Sequence, residues 1–144
     1  MSQNPFESYL ESQVYAASPV RLVTILYRAA LDSLETARGQ LAAGDIRKRA
    51  EATTRASNVV AELTQSLNLE EGGEIARNLL HLYDYLLYRI HQANMNSDER
   101  AYEECIQLLS TLLDGWQSIG EPAAAPADPY AVAGQEYQPI EFSA

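Results

Sequence analysis

The sequence predicts an all-α protein: an antiparallel up-down four-helix bundle over residues 18–120, with an N-terminal strap segment and a disordered C-terminal tail. Apolar residues recur at steps of three and four through four segments, which is typical of amphipathic helices. Each segment has about 22 residues, or about 33 Å of helix at 1.5 Å per residue. Short polar breaks separate the segments, and similar lengths with short turns favour antiparallel neighbours.

The first helix begins at Ser18 and Pro19, where a capping hydroxyl precedes a residue with a fixed φ. Gly44 ends it, because glycine is the usual residue just past a helix C-terminus. Its apolar face is wide enough for two or more neighbours. The stripe consists of Val23, Leu26, Ala30, Leu34, Ala37 and Leu41.

Asp45 is the predicted cap of the second helix, and a turn is expected from Asn68 to Gly73. Alanine and threonine replace larger apolar residues in the early half of this helix. Its stripe consists of Ile46, Ala50, Ala56, Val60, Leu63 and Leu67.

The third helix follows Gly73 and breaks between Asn94 and Asp98, where Asn96 and Glu99 form a predicted capping pair. Its stripe consists of Ile75, Leu79, Leu82, Leu86 and Ile90, flanked by Ala76, Leu80, Tyr83 and Leu87. The fourth helix ends at Gly120. It carries Tyr102, Cys105, Ile106, Leu109, Leu112, Leu113, Trp116 and Ile119.

Residues 1–17 form the predicted strap segment, which has too many large apolar side chains for a free terminus. Phe6, Leu10 and Val14 would align on a short helix, or the segment would lie extended along a groove between bundle helices. In either arrangement these side chains are expected to be buried, since burying one is worth about 1.5–3 kcal/mol.

Residues 121–144 form the predicted tail, with four of the six prolines, four acidic residues and no basic residue. Such a segment buries too little apolar surface to offset its ordering entropy, so we expect disorder. The tail either solubilises the protein or contains a short docking motif, formed by Tyr130, Tyr137, Ile140 and Phe142.

Composition and charge exclude several classes of protein. The 20 acidic and 10 basic residues give a formal charge of −10, which argues against nucleic-acid binding. The single Cys105 can form neither an internal disulfide nor a thiolate metal site. The sequence contains neither a secretory signal nor an uninterrupted apolar span, so no membrane insertion is expected. We therefore expect a soluble, cytoplasmic protein.

Catalysis and cofactor binding are not expected. A di-iron bundle needs Glu-x-x-His on two helices. Only His81 and His91 are present, and the residues three positions before them are Asn78 and Tyr88. Phosphate-binding loops, nucleotide-binding glycine patterns and nucleophile elbows are also missing. The expected metal and cofactor content is none.

A series of short motifs over Tyr9 to Trp116, about three-quarters of the chain, resembles the flagellar secretion chaperones that bind flagellin, the FliS family. In chain order the motifs are Ala17-Ser18-Pro19 with Leu22, Leu26-Tyr27, Gly44-Asp45-Ile46, Glu62-Leu63 with Leu67, Glu71 to Ala76 before Asn78-Leu79, Leu82-Tyr83-Asp84-Tyr85 before Arg89, Ala93-Asn94 and Trp116.

The resemblance implies a cytoplasmic chaperone that binds the disordered C-terminal segment of flagellin, prevents premature polymerisation and assists secretion. It also implies that the N-terminal strap folds back on the bundle and is displaced by the client. Core packing is the competing interpretation for each candidate client contact. The candidates are Tyr9, Val14, Ser18, Pro19, Leu22, Ile25, Leu26, Ala29, Val59, Val60, Leu63, Leu67, Tyr83 and Tyr85.

The alternative hypothesis is a helical adaptor that binds a folded regulatory partner through the Trp116 end of the bundle or the acidic tail. Export-apparatus or regulatory proteins are further expected partners of the chaperone. The free chain is expected to be a monomer or a weak homodimer, because vacant apolar grooves promote self-association.

Overall fold

The computed structural model describes residues 19–119 and 129–130, and its helices form the predicted four-helix bundle. The helices are α1 (Pro19–Ala43), α2 (Ile46–Gln65), α3 (Leu69–Met95) and α4 (Glu99–Ile119). Helix α1 packs against α2 and α4, and α3 packs against the same two helices. The strap of residues 1–17 and the predicted cap Ser18 lie outside the described residues.

The α1–α2 connection has the predicted glycine stop and aspartate cap. Gly44 has a φ of +77°, a left-handed conformation that favours glycine, and its N–H donates to Leu41 O at 3.1 Å. Asp45 Oδ1 accepts a hydrogen bond from the Lys48 backbone N–H at 3.0 Å. Local sequence chemistry therefore fixes this reversal of the chain.

The α2–α3 turn is shorter than predicted, because α3 begins at Leu69 rather than after Gly73. Asn68 is its N-cap, and its side-chain oxygen accepts from the Glu71 N–H at 2.9 Å. Glu70 and Glu71 lie in the first turn, where the helix dipole favours negative charge. The backbone of Gly73 (φ 55°, ψ −133°) interrupts the helix four residues after its start.

The predicted Asn96–Glu99 capping pair is wrong. Asn96 is the C-cap of α3, and its N–H donates to Gln92 O at 2.9 Å. The chain reverses through Ser97, which has a φ of 51°, so Asp98 becomes the residue before α4. Asp98 Oδ1 accepts from the Ala101 N–H at 3.3 Å and caps that helix.

Most of the predicted stripe residues are buried or half-buried, and two of the described ones are exposed. Ile46 is 68% exposed and Ile75 is 46% exposed. Ile46 is the first residue of α2 and Ile75 follows the interruption at Gly73, so both lie near helix ends, where fewer neighbours cover a side chain. No helix within the described residues is long and apolar enough to cross a membrane.

The prediction of disorder throughout residues 121–144 does not hold at Pro129 and Tyr130. Both residues are buried against the bundle, and Tyr130 belongs to its hydrophobic core. An aromatic ring with a hydroxyl that finds hydrogen-bond partners can offset the ordering of a short segment. The other residues of the tail lie outside the described part of the chain.

A buried arginine fastens the turn between α3 and α4 to α2. Arg49 Nε donates to Asn94 Oδ1 at 2.9 Å, Nη2 to Asn94 O at 3.1 Å and Nη1 to Ser97 Oγ at 3.2 Å. One turn along α2, the Thr53 hydroxyl donates to Arg49 O at 2.7 Å and is 2.8 Å from Tyr102 OH in α4. The planar guanidinium suits this set of acceptors, because its donors have a fixed geometry.

Replacing Arg49 by methionine should lower the free energy of unfolding by about 1.5–3 kcal/mol, the usual range for hydrogen bonds made by a charged group. Arg49→Lys should recover only part of the loss, because an ammonium cannot reach all three acceptors. Urea unfolding measures both effects.

Arg47→Met is the matched control for Arg49→Met. Arg47 lies on the same helix, has an 88% exposed side chain and makes an exposed ion pair with Glu51. Its loss should change the stability by less than about 1 kcal/mol. Equal losses for Arg47→Met and Arg49→Met would contradict the proposed role of Arg49.

Candidate interaction site

An aromatic cluster from three helices lies at the end of the bundle where α1 and α3 begin, here called the tyrosine end. Tyr27 of α1 and Tyr83 of α3 have their ring centroids 6.4 Å apart. Trp116 of α4 approaches Tyr27 at 6.5 Å. Both pairs meet edge to face, an arrangement that aromatic rings prefer over face-to-face stacking. Tyr27 and Tyr83 are completely buried, so their hydroxyls need partners within the protein.

The tyrosine hydroxyls form a hydrogen-bond chain whose direction can be assigned. Tyr130 OH donates to the Leu63 backbone oxygen at 3.2 Å. Since a hydroxyl has one proton, Tyr83 OH donates to Tyr130 OH at 2.8 Å and Tyr27 OH to Tyr83 OH at 2.6 Å. The Trp116 ring packs edge to face against the Tyr27 ring beside this chain. The chain thus runs from the Tyr27 hydroxyl through those of Tyr83 and Tyr130 to a carbonyl of α2.

Residues Leu63, Asn68, Gly72, Tyr83 and Trp116 together form a pocket, here called the Tyr130 pocket. The Tyr130 ring lies 5.5 Å from the Trp116 ring, centroid to centroid. Pro129 O accepts a hydrogen bond from the Asn68 N–H at 2.9 Å. A Cβ on Gly72 would lie 2.5 Å from Pro129 Cα and 2.6 Å from Ala76 Cβ, so only glycine permits this approach.

Burial changes the acidity of the side chains inside the bundle. Desolvation is the main cause that raises the pKa values of Tyr27 and Tyr83 well above 10, and the neighbouring tyrosine of the chain raises each further. Desolvation also raises the pKa of Cys105 to about 12. The cysteine is therefore a protonated thiol at neutral pH, and it behaves as a small apolar side chain.

Helix α3 also carries most of the exposed large apolar side chains in the described residues. One of them, Tyr85, donates its hydroxyl to Glu104 of α4 at 2.6 Å, and Arg89 donates to the same carboxylate at 2.8 Å. The Tyr85 hydrogen bond is the main cause that lowers the pKa of Glu104. The exposed set consists of Ile46 in α2 and Leu69, Ile75, Tyr85, Tyr88 and Met95 in α3.

The structure separates the predicted client contacts by burial. The buried ones are Leu26, Ala29, Val59, Val60, Leu63 and Tyr83. The half-buried ones are Leu22, Ile25 and Leu67, and the exposed one is Tyr85. Pro19 is the first residue of α1, and Tyr9, Val14 and Ser18 lie outside the described residues.

Sequence reasoning missed Asn68, Gly72 and Trp116 as members of one pocket, although it named Leu63 and Tyr83 separately. Helical periodicity assigns residues to faces of single helices, whereas this pocket combines a helix carbonyl, a turn and two helix faces. The pair Pro129-Tyr130 in an alanine-rich segment was the available signal, and the docking-motif alternative for the tail included Tyr130.

Metal chemistry finds no support in the described part of the chain, where no group of three or more His, Cys, Asp or Glu side chains could hold an ion. Every buried side-chain nitrogen and oxygen of these residues has a hydrogen-bond partner. The buried hydroxyls of the tyrosine end are thus paired with one another and with the Leu63 carbonyl, as buried polar groups usually are.

Comparison with known proteins identifies relatives over most of the chain. The family model described as flagellar protein FliS matches residues 2–123. The flagellar secretion chaperone FliS of Salmonella typhimurium is 40% identical over 116 residues, which is 80% of this chain and 86% of the relative. FliSB of Pseudomonas aeruginosa is 34% identical, covering 76% of this chain and 87% of the relative. FliS of Vibrio cholerae is 31% identical, covering 76% and 81%.

The buried tyrosines predict a cooperative alkaline transition. Because the folded pKa values of Tyr27 and Tyr83 lie above the unfolded value of 10, their contribution to stability is complete below pH 10 and falls as the pH rises further. Phenolate absorbance at 295 nm should show a late step that coincides with loss of the helical circular dichroism. Tyr27→Phe should reduce the amplitude of that step. Ionisation of all nine tyrosines near pH 10 with the helices intact would contradict this assignment.

Proposed function

We propose that this chain, which belongs to the FliS family of flagellar proteins, holds the disordered C-terminal segment of flagellin in the cytoplasm until export. Its relatives bear the name flagellar secretion chaperone, and family membership supports that general role here. Flagellin as the client and its C-terminal segment as the bound region are the finer parts of the proposal.

The observation that supports binding of a client is the half-buried apolar surface at the tyrosine end. Leu22 of α1 and Leu67, which follows α2, both pack on the core while part of each side chain stays accessible. Ile25 lies three residues after Leu22, on a neighbouring part of the same helix face. An amphipathic client helix could bury its apolar side against this surface.

The buried candidates would act beneath that surface rather than touch the client. Val60 and Leu63 are completely buried in the closed bundle, and a client could reach them only by separating the helices. They set the position of the half-buried leucines through packing, since protein interiors are close-packed. We therefore place direct client contacts on Leu22, Ile25, Leu67 and Tyr85.

Coupled folding and binding would give the client complex moderate affinity. The ordering of a disordered segment offsets part of the energy gained at a large interface, which favours later release to the export machinery. A client segment covered in this way could not make the helix–helix contacts of a polymer. The N-terminal strap, as the covering of the empty surface, remains a prediction outside the described residues.

The adaptor hypothesis depends on a free Trp116 end or a free tail. In the structure Trp116 is only 6% exposed and packs against Tyr130 of the tail itself. A folded partner would have to displace that contact first. The proposed client surface keeps part of its apolar area accessible in the described bundle, so a client can reach it without displacing Tyr130.

Calorimetric titration of the full chain with a flagellin C-terminal peptide of about 50 residues tests the client assignment. We expect saturable one-to-one binding, a negative heat-capacity change from apolar burial, and a gain of helix on mixing. Circular dichroism of the mixture measures that gain. Absence of heat at two temperatures, with a folded protein, would overturn the proposal.

The substitution Ile25→Asp should weaken client binding by about tenfold or more, because a charge would replace an apolar contact at the proposed surface. Ile46→Asp is the matched control: Ile46 is 68% exposed and lies at the start of α2, outside the proposed surface. Binding of this control should match that of the unmodified chain. Thermal unfolding of both variants distinguishes weaker binding from a damaged fold, and equal affinities would remove Ile25 from the surface.

A further inference from the structure

We propose that the Tyr130 pocket is a peptide-binding site, and that the tail of this chain is its built-in competitor. The ligand is an extended segment that contains a tyrosine. The backbone carbonyl of the residue before that tyrosine accepts a hydrogen bond from the Asn68 N–H. Pro129 and Tyr130 provide both features within the chain. An incoming peptide of this kind would bind after the tail residues leave.

The pocket recognises its occupant partly through backbone groups at helix ends. Leu63 is among the last four residues of α2, whose carbonyls have no partner within the helix. Asn68 immediately precedes α3, at the terminus where backbone N–H groups lack helical partners. Tyr130 OH bonds the carbonyl and Pro129 O bonds the N–H, at 3.2 and 2.9 Å. Any extended segment with a carbonyl and a phenol in this arrangement offers the same bonds.

Side chains of the pocket supply selectivity for tyrosine. The Trp116 ring packs against the ring of Tyr130, and Tyr83 OH donates to its hydroxyl. A phenylalanine would keep the ring contact but leave Tyr83 without this acceptor, while a smaller residue would lose both. Gly72 adds a steric requirement, because it lets the residue before the tyrosine approach the α3 backbone.

The pocket and its occupant belong to different parts of the chain. Leu63, Asn68, Gly72, Tyr83 and Trp116 all lie within the residues that match the family model, which ends at residue 123. Pro129 and Tyr130 lie beyond it. All five pocket residues therefore lie in the part of the chain that the family model matches, whereas the two residues that occupy the pocket lie outside it.

The tail competes with a free peptide because a short connection joins Pro129 and Tyr130 to α4. Residues 120–128 link Ile119 to Pro129, so Tyr130 cannot move far from the Tyr130 pocket. A short connection within one chain gives an effective concentration on the order of millimolar, so a free peptide at lower concentration competes poorly. Binding at this pocket is independent of the proposed flagellin client, because the probe peptide comes from this chain itself.

The test adds a peptide of residues 124–135 to the full-length variant Tyr130→Ala, with the emission of Trp116 as the readout. Trp116 is the single tryptophan of the chain, and the peptide contains none. Removal of the Tyr130 ring should shift the emission to longer wavelength, and the peptide should reverse that shift saturably. On the unmodified chain, half-saturation should require at least about tenfold more peptide, because the occupied fraction of the pocket lowers the apparent affinity.

Two controls keep the outcome interpretable. The same peptide with alanine in place of the tyrosine should not bind, and Tyr130→Phe, which keeps the ring, should bind the original peptide with intermediate affinity. Circular dichroism checks that each variant is folded. If Tyr130→Ala unfolds, the peptide affinities of Tyr130→Phe and of the unmodified chain are compared instead. Equal affinity for the unmodified and variant chains would overturn the proposal. So would the absence of peptide binding to the folded variants, which would make the tail an intramolecular brace only.

Discussion

The hydrogen bond between Tyr27 and Tyr83 is the contact on which the tyrosine end of this protein depends. Tyr27 lies in α1 and Tyr83 lies in α3. These two helices are not neighbours in the bundle, because each packs against α2 and α4 instead. Their hydroxyls meet at 2.6 Å in a fully buried site, where an unpaired hydroxyl would be costly. The need to pair the two hydroxyls favours one position of α1 relative to α3 along the bundle axis. Tyr130 extends the same chain of donors and acceptors, and the Trp116 ring packs against the rings of Tyr27 and Tyr130.

Polar contacts at the opposite end complete the control of helix register. Arg49 ties α2 to the turn after α3, and Thr53 meets Tyr102 of α4 one turn further along. Between the two ends the core is mainly alanine, valine and leucine, which pack well but tolerate small shifts along the helix axis. Directional hydrogen bonds at both ends thus select one register, while apolar burial supplies most of the stability.

The same division helps to explain how a rigid bundle can serve as a chaperone. Completely buried residues such as Val60 hold the helices together, and half-buried ones such as Leu22 and Leu67 leave apolar area at the surface. Under the proposed function, a client would cover that area without opening the core. At the Tyr130 pocket, two residues beyond the part of the chain that the family model matches cover a further part of the bundle.

The sequence by itself determined the four helices, most of their ends and most of the core, because these depend on local chemistry. The Pro19 start, the Gly44 stop and the Asp45 cap need only neighbouring residues, and apolar periodicity shows which face is buried. Family motifs indicated the chaperone role, but the sequence alone could not show which of the candidate client contacts are buried. Only the tertiary structure decided that Leu22 and Ile25 stay accessible while Leu26 is buried, and that Tyr130 fills a pocket. Those outcomes depend on groups more than 30 residues apart, such as Leu63 and Tyr130, which the packed bundle alone brings together.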